Sequence, residues 1–178
     1  MNRIQQAWVW TKRLGHCRGF GIQSPADYRF ARYVINEHWP YYAYDTIGRH
    51  DNWKKRKLGR LYFRLANHLS PNTIINMVGA EQYLSAAVSK ALIVTTNEHL
   101  AESIKVELAI VPIQINYPQL FNLCDRHSVV VFENIYKQPA LWHCIQHDPR
   151  TVVTFDLYYC GIVFFDNNRS PHNYIVNF

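Results

Sequence analysis

The sequence has little glycine, no paired cysteines and no long apolar run. No stretch of about eighteen apolar residues occurs, so a membrane-spanning helix is not expected. The four cysteines show no paired spacing, which argues against a disulfide framework and favours reduced thiols in a core. The N-terminus lacks the apolar segment and the small-residue cleavage site of a signal peptide. We therefore expect a globular cytoplasmic protein without a membrane partner.

Acidic residues are scarce in the first third of the chain, where basic residues are concentrated. Residues 1–60 hold twelve Lys and Arg against four Asp and Glu, whereas the remainder holds seven against nine. The densest run is Lys54, Lys55, Arg56 and Lys57, and tryptophans and tyrosines occur around it. Basic residues among aromatic ones can bind phosphate backbones and stack bases, which suggests a nucleic-acid interface. The alternative is a solvated basic helix face with the aromatic residues in the core.

The first part of the chain is predicted to be helical. Residues 1–23 form an arm that leads to Ser24, and a serine followed by a proline is a good helix start. The apolar spacing then predicts a helix over residues 25–38. Leucines at three- and four-residue spacing predict a second helix over residues 53–69, with the basic run on its other side.

The second part of the chain, residues 71–178, alternates between strand and helix patterns. Strands are predicted over residues 73–78, 91–96, 109–115, 128–132, 151–157, 159–165 and 173–178, and helices over 82–90, 97–108, 119–124 and 139–147. Because proline cannot donate a ladder hydrogen bond, Pro112 indicates an edge or a bulged strand. The alternation predicts one α/β domain over residues 1–178, with a mostly parallel sheet flanked by helices and an antiparallel hairpin at its C-terminal edge.

The turn after the first predicted strand lacks most of the glycine that its context requires. A strand that enters a turn and then a helix is typical of nucleotide sites in α/β sheets. Such a turn uses several glycines so that its backbone can approach a charged ligand, and here only Gly79 remains. Val78 stands directly before Gly79, and a β-branched side chain resists positive φ and fills ligand space. The sequence therefore raises the question of whether the site has lost its ligand.

Segments at both ends of the chain resemble one family. Near the start they read RGFGIQSP, YAY and GRLYFRLA (residues 18–25, 42–44 and 59–66), and near the end VVFENI and VTFDLYYCGIVFF (residues 130–135 and 153–165). Together they are similar to small Bacteroidetes-type class I S-adenosylmethionine-dependent methyltransferases. The resemblance implies a Rossmann-like, class I methyltransferase-like sheet with a reversed last strand, and S-adenosylmethionine as the cofactor.

The departures from this family fall in its cofactor motifs. Where the family reads E-L-G-T-x-x-G, this chain has Asn76 in the acidic place and a shorter loop. Glu98 matches the acidic residue that would hold the ribose, although it could equally complement a helix dipole. Glu133 and Asn134 replace two acids of the family and could hold a base or a metal. Because ligands bind at the carboxyl ends of parallel strands, the expected cofactor-site residues are Asn76, Gly79, Glu81, Asn97, Glu98, Glu133 and Asn134.

Other catalytic or metal motifs find little support. His143 and His147 are four residues apart and could share a helix face as metal ligands, but no third ligand is apparent. No metal is therefore expected. The sequence has no G-x-S-x-G, no P-loop and no H-E-x-x-H, so hydrolase and NTPase functions are not indicated.

Three functional hypotheses follow from the sequence. The first is a degenerate methyltransferase-like protein with weak or lost catalysis that acts by binding or assembly. The second is an active S-adenosylmethionine-dependent methyltransferase with a shortened pocket. The third is a nucleic-acid-binding module built on the helix over residues 53–69. For assembly, the aromatic hairpin around Tyr158 and Tyr159 is a candidate homodimer surface.

Overall fold

The computed structural model describes residues 3–95 and 105–178 of the chain. Its helices are α1 (Arg3–Lys12), α2 (Pro25–Phe30), α3 (Trp53–Leu69), α4 (Glu81–Ala87), α5 (Tyr117–Asn122) and α6 (Pro139–Gln146). Its strands are β1 (Thr73–Asn76), β2 (Leu92–Val94), β3 (Val106–Pro112), β4 (Cys124–Glu133), β5 (Val153–Asp156), β6 (Cys160–Phe164) and β7 (His172–Ile175).

Local sequence signals account for α3, which covers the predicted residues. The Asn52 side chain caps its start by accepting a hydrogen bond from the Lys55 backbone N–H at 2.9 Å. Its end is fixed by Ser70, whose φ of 49° lies in the left-handed region. Between these ends, apolar residues at helical spacing, among them Leu61 and Leu65, are fully buried.

The helix predicted over residues 25–38 is shorter than expected. Its start is confirmed, because the Ser24 hydroxyl accepts a hydrogen bond from the Asp27 N–H. Helix α2 then passes into a π-helical turn, Ala31–Ile35, and ends there. The arm before it is helical as predicted, since α1 lies within residues 1–23.

The seven strands form one sheet in the order β2-β1-β3-β4-β6-β5-β7. Strands β2, β1, β3 and β4 are parallel to one another, and β5 pairs with β7 in parallel. Strand β6 is antiparallel to both of its neighbours, β4 and β5, so it is the one reversed strand of the described sheet. The arrangement is a mostly parallel α/β sheet flanked by helices, compatible with a Rossmann-like fold.

Two predictions about sheet edges are wrong. The strand predicted over residues 109–115 begins at Val106, and it lies between β1 and β4 instead of at an edge. The alternative of a bulged strand agrees with a register shift in β3 between Val106 and Leu108, although this shift lies at the other end of the strand from Pro112. Pro112 is tolerated because it is the last residue of β3. The hairpin formed by β5 and β6 is antiparallel as predicted, but β7 covers β5 and forms the C-terminal edge.

The helices cover both faces of the sheet. One core contains side chains of α3 and α4 against alternate residues of the strands, such as Ile74 and Leu108. The other core holds α5 and α6 against the intervening residues, such as Ile75 and Ala109. The alternation follows from the two-residue period of a strand. None of the helices in the described ranges has the length and hydrophobicity needed to cross a bilayer.

Candidate functional site

The turn between β1 and α4 is closed by Asn76. This side chain is buried at the end of β1, and its Oδ1 faces the backbone N–H groups of Val78 and Ala80 at 3.4 and 3.3 Å. Its Nδ2 donates to Oε1 of Glu81 at 2.8 Å. A cofactor turn holds its ligand with free backbone N–H groups. Here the side-chain amide of Asn76 occupies two of these backbone N–H groups.

Gly79 is the residue that lets this turn form, as its position in the motif predicts. Its φ of 73° lies in the left-handed region, and a methyl group added to it would meet no atom within 4 Å. Val78 does not adopt a positive φ, as expected of a β-branched residue. Its side chain packs against the core on the α3 side of the sheet. The Val78 side chain therefore anchors the turn to the core.

A second group of polar side chains lies at the carboxyl end of β4. Oε1 of Glu133 accepts a hydrogen bond from the buried Tyr62 hydroxyl at 2.6 Å. Burial raises the pKa of the Glu133 carboxyl, against the opposing effects of the Tyr62 hydrogen bond and the Lys54 charge. A carboxyl group with a raised pKa beside a phenol and an ammonium group can take up or release a proton.

Asn134 completes this group. Its φ of 64° is left-handed, and its backbone N–H donates to the Tyr159 carbonyl at 2.7 Å. Its Oδ1 accepts a hydrogen bond from Nζ of Lys54, which also lies 5.1 Å from the centre of the Tyr136 ring. Asn134 is thus held by two partners within the protein. Sequence reasoning missed Tyr62 and Lys54 here, since both follow the α3 pattern and only tertiary packing brings them to β4.

The structure brings the expected cofactor residues to one edge of the sheet only in part. Asn76 and Gly79 follow β1, while Glu133 and Asn134 follow β4, with β3 between them. Asn97 and Glu98 lie outside the described residues, so their predicted ribose contact stays a prediction. Three cavities on the described surface are lined by other residues. None of them includes Asn76, Gly79, Glu133 or Asn134.

The four residues of the basic run do not form one basic strip. Lys54 reaches Asn134, and Lys55 pairs with Asp51 at 3.3 Å. Arg56 donates to the backbone carbonyls of residues 48, 49 and 51. Lys57 lies with its Nζ over the rings of Trp53 and Phe178, at 5.0 and 4.5 Å. Consecutive residues of a helix point in different directions, so the run is divided among four surroundings.

The histidine pair lies on α6 without further ligands. The rings of His143 and His147 are stacked at 4.0 Å, and Nδ1 of His147 lies 2.7 Å from the His143 carbonyl oxygen. Within the described residues no group of three potential ligands could hold a metal ion. The four cysteines are free thiols, as their spacing predicts, but the expectation that they lie in a core is wrong for Cys144, which is exposed; only Cys160 is buried.

Comparisons with protein-family models, with curated proteins and with solved structures found no match for this chain. The interpretation of the site therefore depends on its own geometry.

Proposed function

We propose that this protein is a methyltransferase-like α/β protein that has given up the S-adenosylmethionine turn and acts by binding or assembly. The observation that supports this proposal most strongly is the position of Asn76. Its amide lies in the turn after β1, where it faces two backbone N–H groups and binds Glu81. A cofactor would have to displace these contacts and would meet the Glu81 carboxylate.

The fold supports the proposed ancestry at the level of topology. The family resemblance implies a sheet with a reversed last strand; here β6 is reversed, and the last strand, β7, pairs in parallel with β5. Strand addition at the aromatic hairpin itself is disfavoured. Both β5 and β6 have strand neighbours on each side, so a second copy that adds a strand would have to use β7 or β2.

A second candidate is an active enzyme, and the side chains at the end of β4 favour it. The raised pKa of Glu133, next to Tyr62, suits a general base. In that case Glu133 would take a proton from the acceptor atom of the substrate. The positive charge of Lys54 would stabilise the negative charge left on that atom. This candidate still requires S-adenosylmethionine to bind beside the turn.

Calorimetric titration with S-adenosylmethionine and S-adenosylhomocysteine separates the two candidates. The proposal predicts no binding heat up to millimolar ligand from a protein whose fold is verified by circular dichroism. Micromolar binding of either compound would contradict it. A changed affinity in folded Asn76→Ala would then place the ligand at the turn, and a loss of methyl transfer in Glu133→Gln would support the enzyme.

A further inference from the structure

A cavity of about 520 Å³ lies beside α3. We call it the basic cavity. Its walls include Lys57 and Arg60 of α3, Trp39 and Tyr44 of the segment before α3, and Phe178. No residue of the strand ends discussed above contributes to it, so it is separate from the expected cofactor site.

Two cations of the basic cavity have no acidic partner in the described structure. Lys57 and Arg60 are three residues apart on α3 and therefore share a face of the helix. No carboxylate of the described residues lies within salt-bridge distance of either side chain. Nε of Arg60 is enclosed and has no hydrogen-bond partner there. Burial also lowers the pKa of the Lys57 amine to about 8.

The other two arginines of the cavity are already engaged. Arg64 donates to the Val34 and Ile35 carbonyls at 2.6 and 2.9 Å, where the π-helical turn ends. Arg56 donates to the carbonyls of the loop before α3. Their roles are structural, which leaves Lys57 and Arg60 as the cations with free donors.

An enclosed cation without a partner is unfavourable, because it has lost water and gained no opposite charge. A bound anion would remove that cost by supplying acceptors to both groups. Phosphate suits the pair, since it offers several oxygens to a guanidinium and an ammonium group. Glu37 and Asp45 also line the cavity, and their negative charge disfavours a ligand with many phosphates.

Aromatic side chains beside these cations are exposed to solvent. Trp39 is 74% exposed and Trp53 is 48% exposed, so neither is a core residue. The Arg60 guanidinium lies 4.6 Å from the centre of the Tyr44 ring, which holds it in a defined plane. Exposed rings beside a phosphate site are the surfaces on which a planar ring can stack.

We propose that the basic cavity binds a small phosphorylated ligand with a planar ring, such as a nucleoside monophosphate, through Lys57, Arg60 and the exposed tryptophans. The volume lies within the range of roughly 300–1,000 Å³ that is usual for small-molecule sites. A nucleic-acid chain is disfavoured, because Lys54 and Lys55 are directed to other surroundings and Arg56 is bound to backbone carbonyls, so the basic run forms no continuous basic track. This proposal does not depend on the loss of the cofactor turn.

The test is calorimetric titration of the full chain with adenosine 5′-monophosphate, adenosine, inorganic phosphate and a single-stranded oligodeoxynucleotide. The monophosphate is expected to bind about tenfold or more tightly than either adenosine or phosphate alone. No heat with the monophosphate at millimolar concentration would overturn the proposal. If adenosine binds as tightly as the monophosphate, the proposed phosphate site is wrong. If inorganic phosphate binds as tightly as the monophosphate, the proposed ring site is wrong.

Matched variants locate the ligand. Lys57→Gln and Arg60→Gln are each expected to weaken monophosphate binding about tenfold, since each removes a charged donor. Lys55→Gln is the control, because Lys55 lies next to these residues in sequence but outside the cavity, and it should bind as the native chain does. Circular dichroism and thermal melting establish that each variant is folded, and Arg60→Lys provides a milder change at the same position.

Two outcomes would contradict the proposed site. The first is an unchanged affinity for the monophosphate in folded Arg60→Gln and Lys57→Gln. The second is oligonucleotide binding that is tighter than monophosphate binding and weakened by Lys55→Gln, which would replace the site with a nucleic-acid surface.

Discussion

At the scale of residues, Asn76 decides what the turn after β1 can hold. A carboxylate in its place could not donate to Glu81, and a glycine would leave the turn's N–H groups free for a ligand. The Asn76 amide can both donate and accept, and the buried position at the end of β1 uses both abilities. The turn is therefore a self-contained structural unit.

We predict that Asn76→Ala lowers the free energy of unfolding by about 1–3 kcal/mol, because it leaves buried polar groups without partners. The measurement is urea denaturation followed by circular dichroism. The control is Asn67→Ala on the exposed face of α3, which should change the free energy of unfolding by less than about 0.5 kcal/mol. Equal effects of the two substitutions would show that the Asn76 contacts do not stabilise the turn.

The sequence identifies some residues of the candidate site and misses others. Asn76 and Gly79 can be found from the sequence, because the strand–turn–helix pattern locates the turn in which both lie and shows that glycines are missing from it. Tyr62 and Lys54 cannot, since on α3 they look like one core residue and one surface residue. The pattern does not reveal which residue of the turn takes the left-handed conformation; that residue is Gly79, and Val78 has no positive φ, as expected of a β-branched residue.

At the scale of elements, α3 and α4 pack through one glycine. Gly59 lies in the middle of α3 on its buried face, and the ring of Tyr83 from α4 lies directly over its Cα. The Tyr83 hydroxyl then donates to Oδ2 of Asp51 at 2.8 Å, in the loop before α3. The close approach ties α4, α3 and this loop together.

Gly59→Ala is expected to destabilise the protein, although alanine favours a helix by about 1 kcal/mol over glycine. The added methyl group would overlap the Tyr83 ring, and overpacking of this kind costs about 1–3 kcal/mol. Thermal melting of Gly59→Ala, alone and combined with Tyr83→Ala, measures the effect. The double variant removes the overlap, so there the alanine should be neutral or stabilising. Destabilisation of similar size in both backgrounds would rule out the ring contact as its cause.

The elements that could be predicted are those with local signals at both ends. Helix α3 is one, because its cap, its apolar spacing and its end are all visible in the sequence. Strand β3 was misplaced, since Pro112 suggested an edge, whereas a proline at the last position of an internal strand costs no ladder bond. The strand order itself arises from pairing across distant residues, such as Val131 with Ile162, and no local pattern encodes it.

At the scale of the whole molecule, the available binding groups lie away from the usual edge of the sheet. At the carboxyl ends of β1 and β4 the polar side chains bind one another. Beside α3, the basic cavity presents Lys57 and Arg60, which have no acidic partner among the described residues, and the solvent-exposed rings of Trp39 and Trp53. The mostly parallel sheet is thus flanked by a helix, α3, that supplies both unpaired cations of the basic cavity.

Hydrogen exchange followed by mass spectrometry tests this account most directly. The exchange of backbone amides is compared for the protein alone, with millimolar S-adenosylmethionine, and with millimolar adenosine 5′-monophosphate. We predict that the monophosphate slows exchange in peptides covering residues 35–45, and that S-adenosylmethionine leaves residues 77–81 unchanged. Slower exchange in residues 77–81 with S-adenosylmethionine, and no change in residues 35–45 with the monophosphate, would contradict the account.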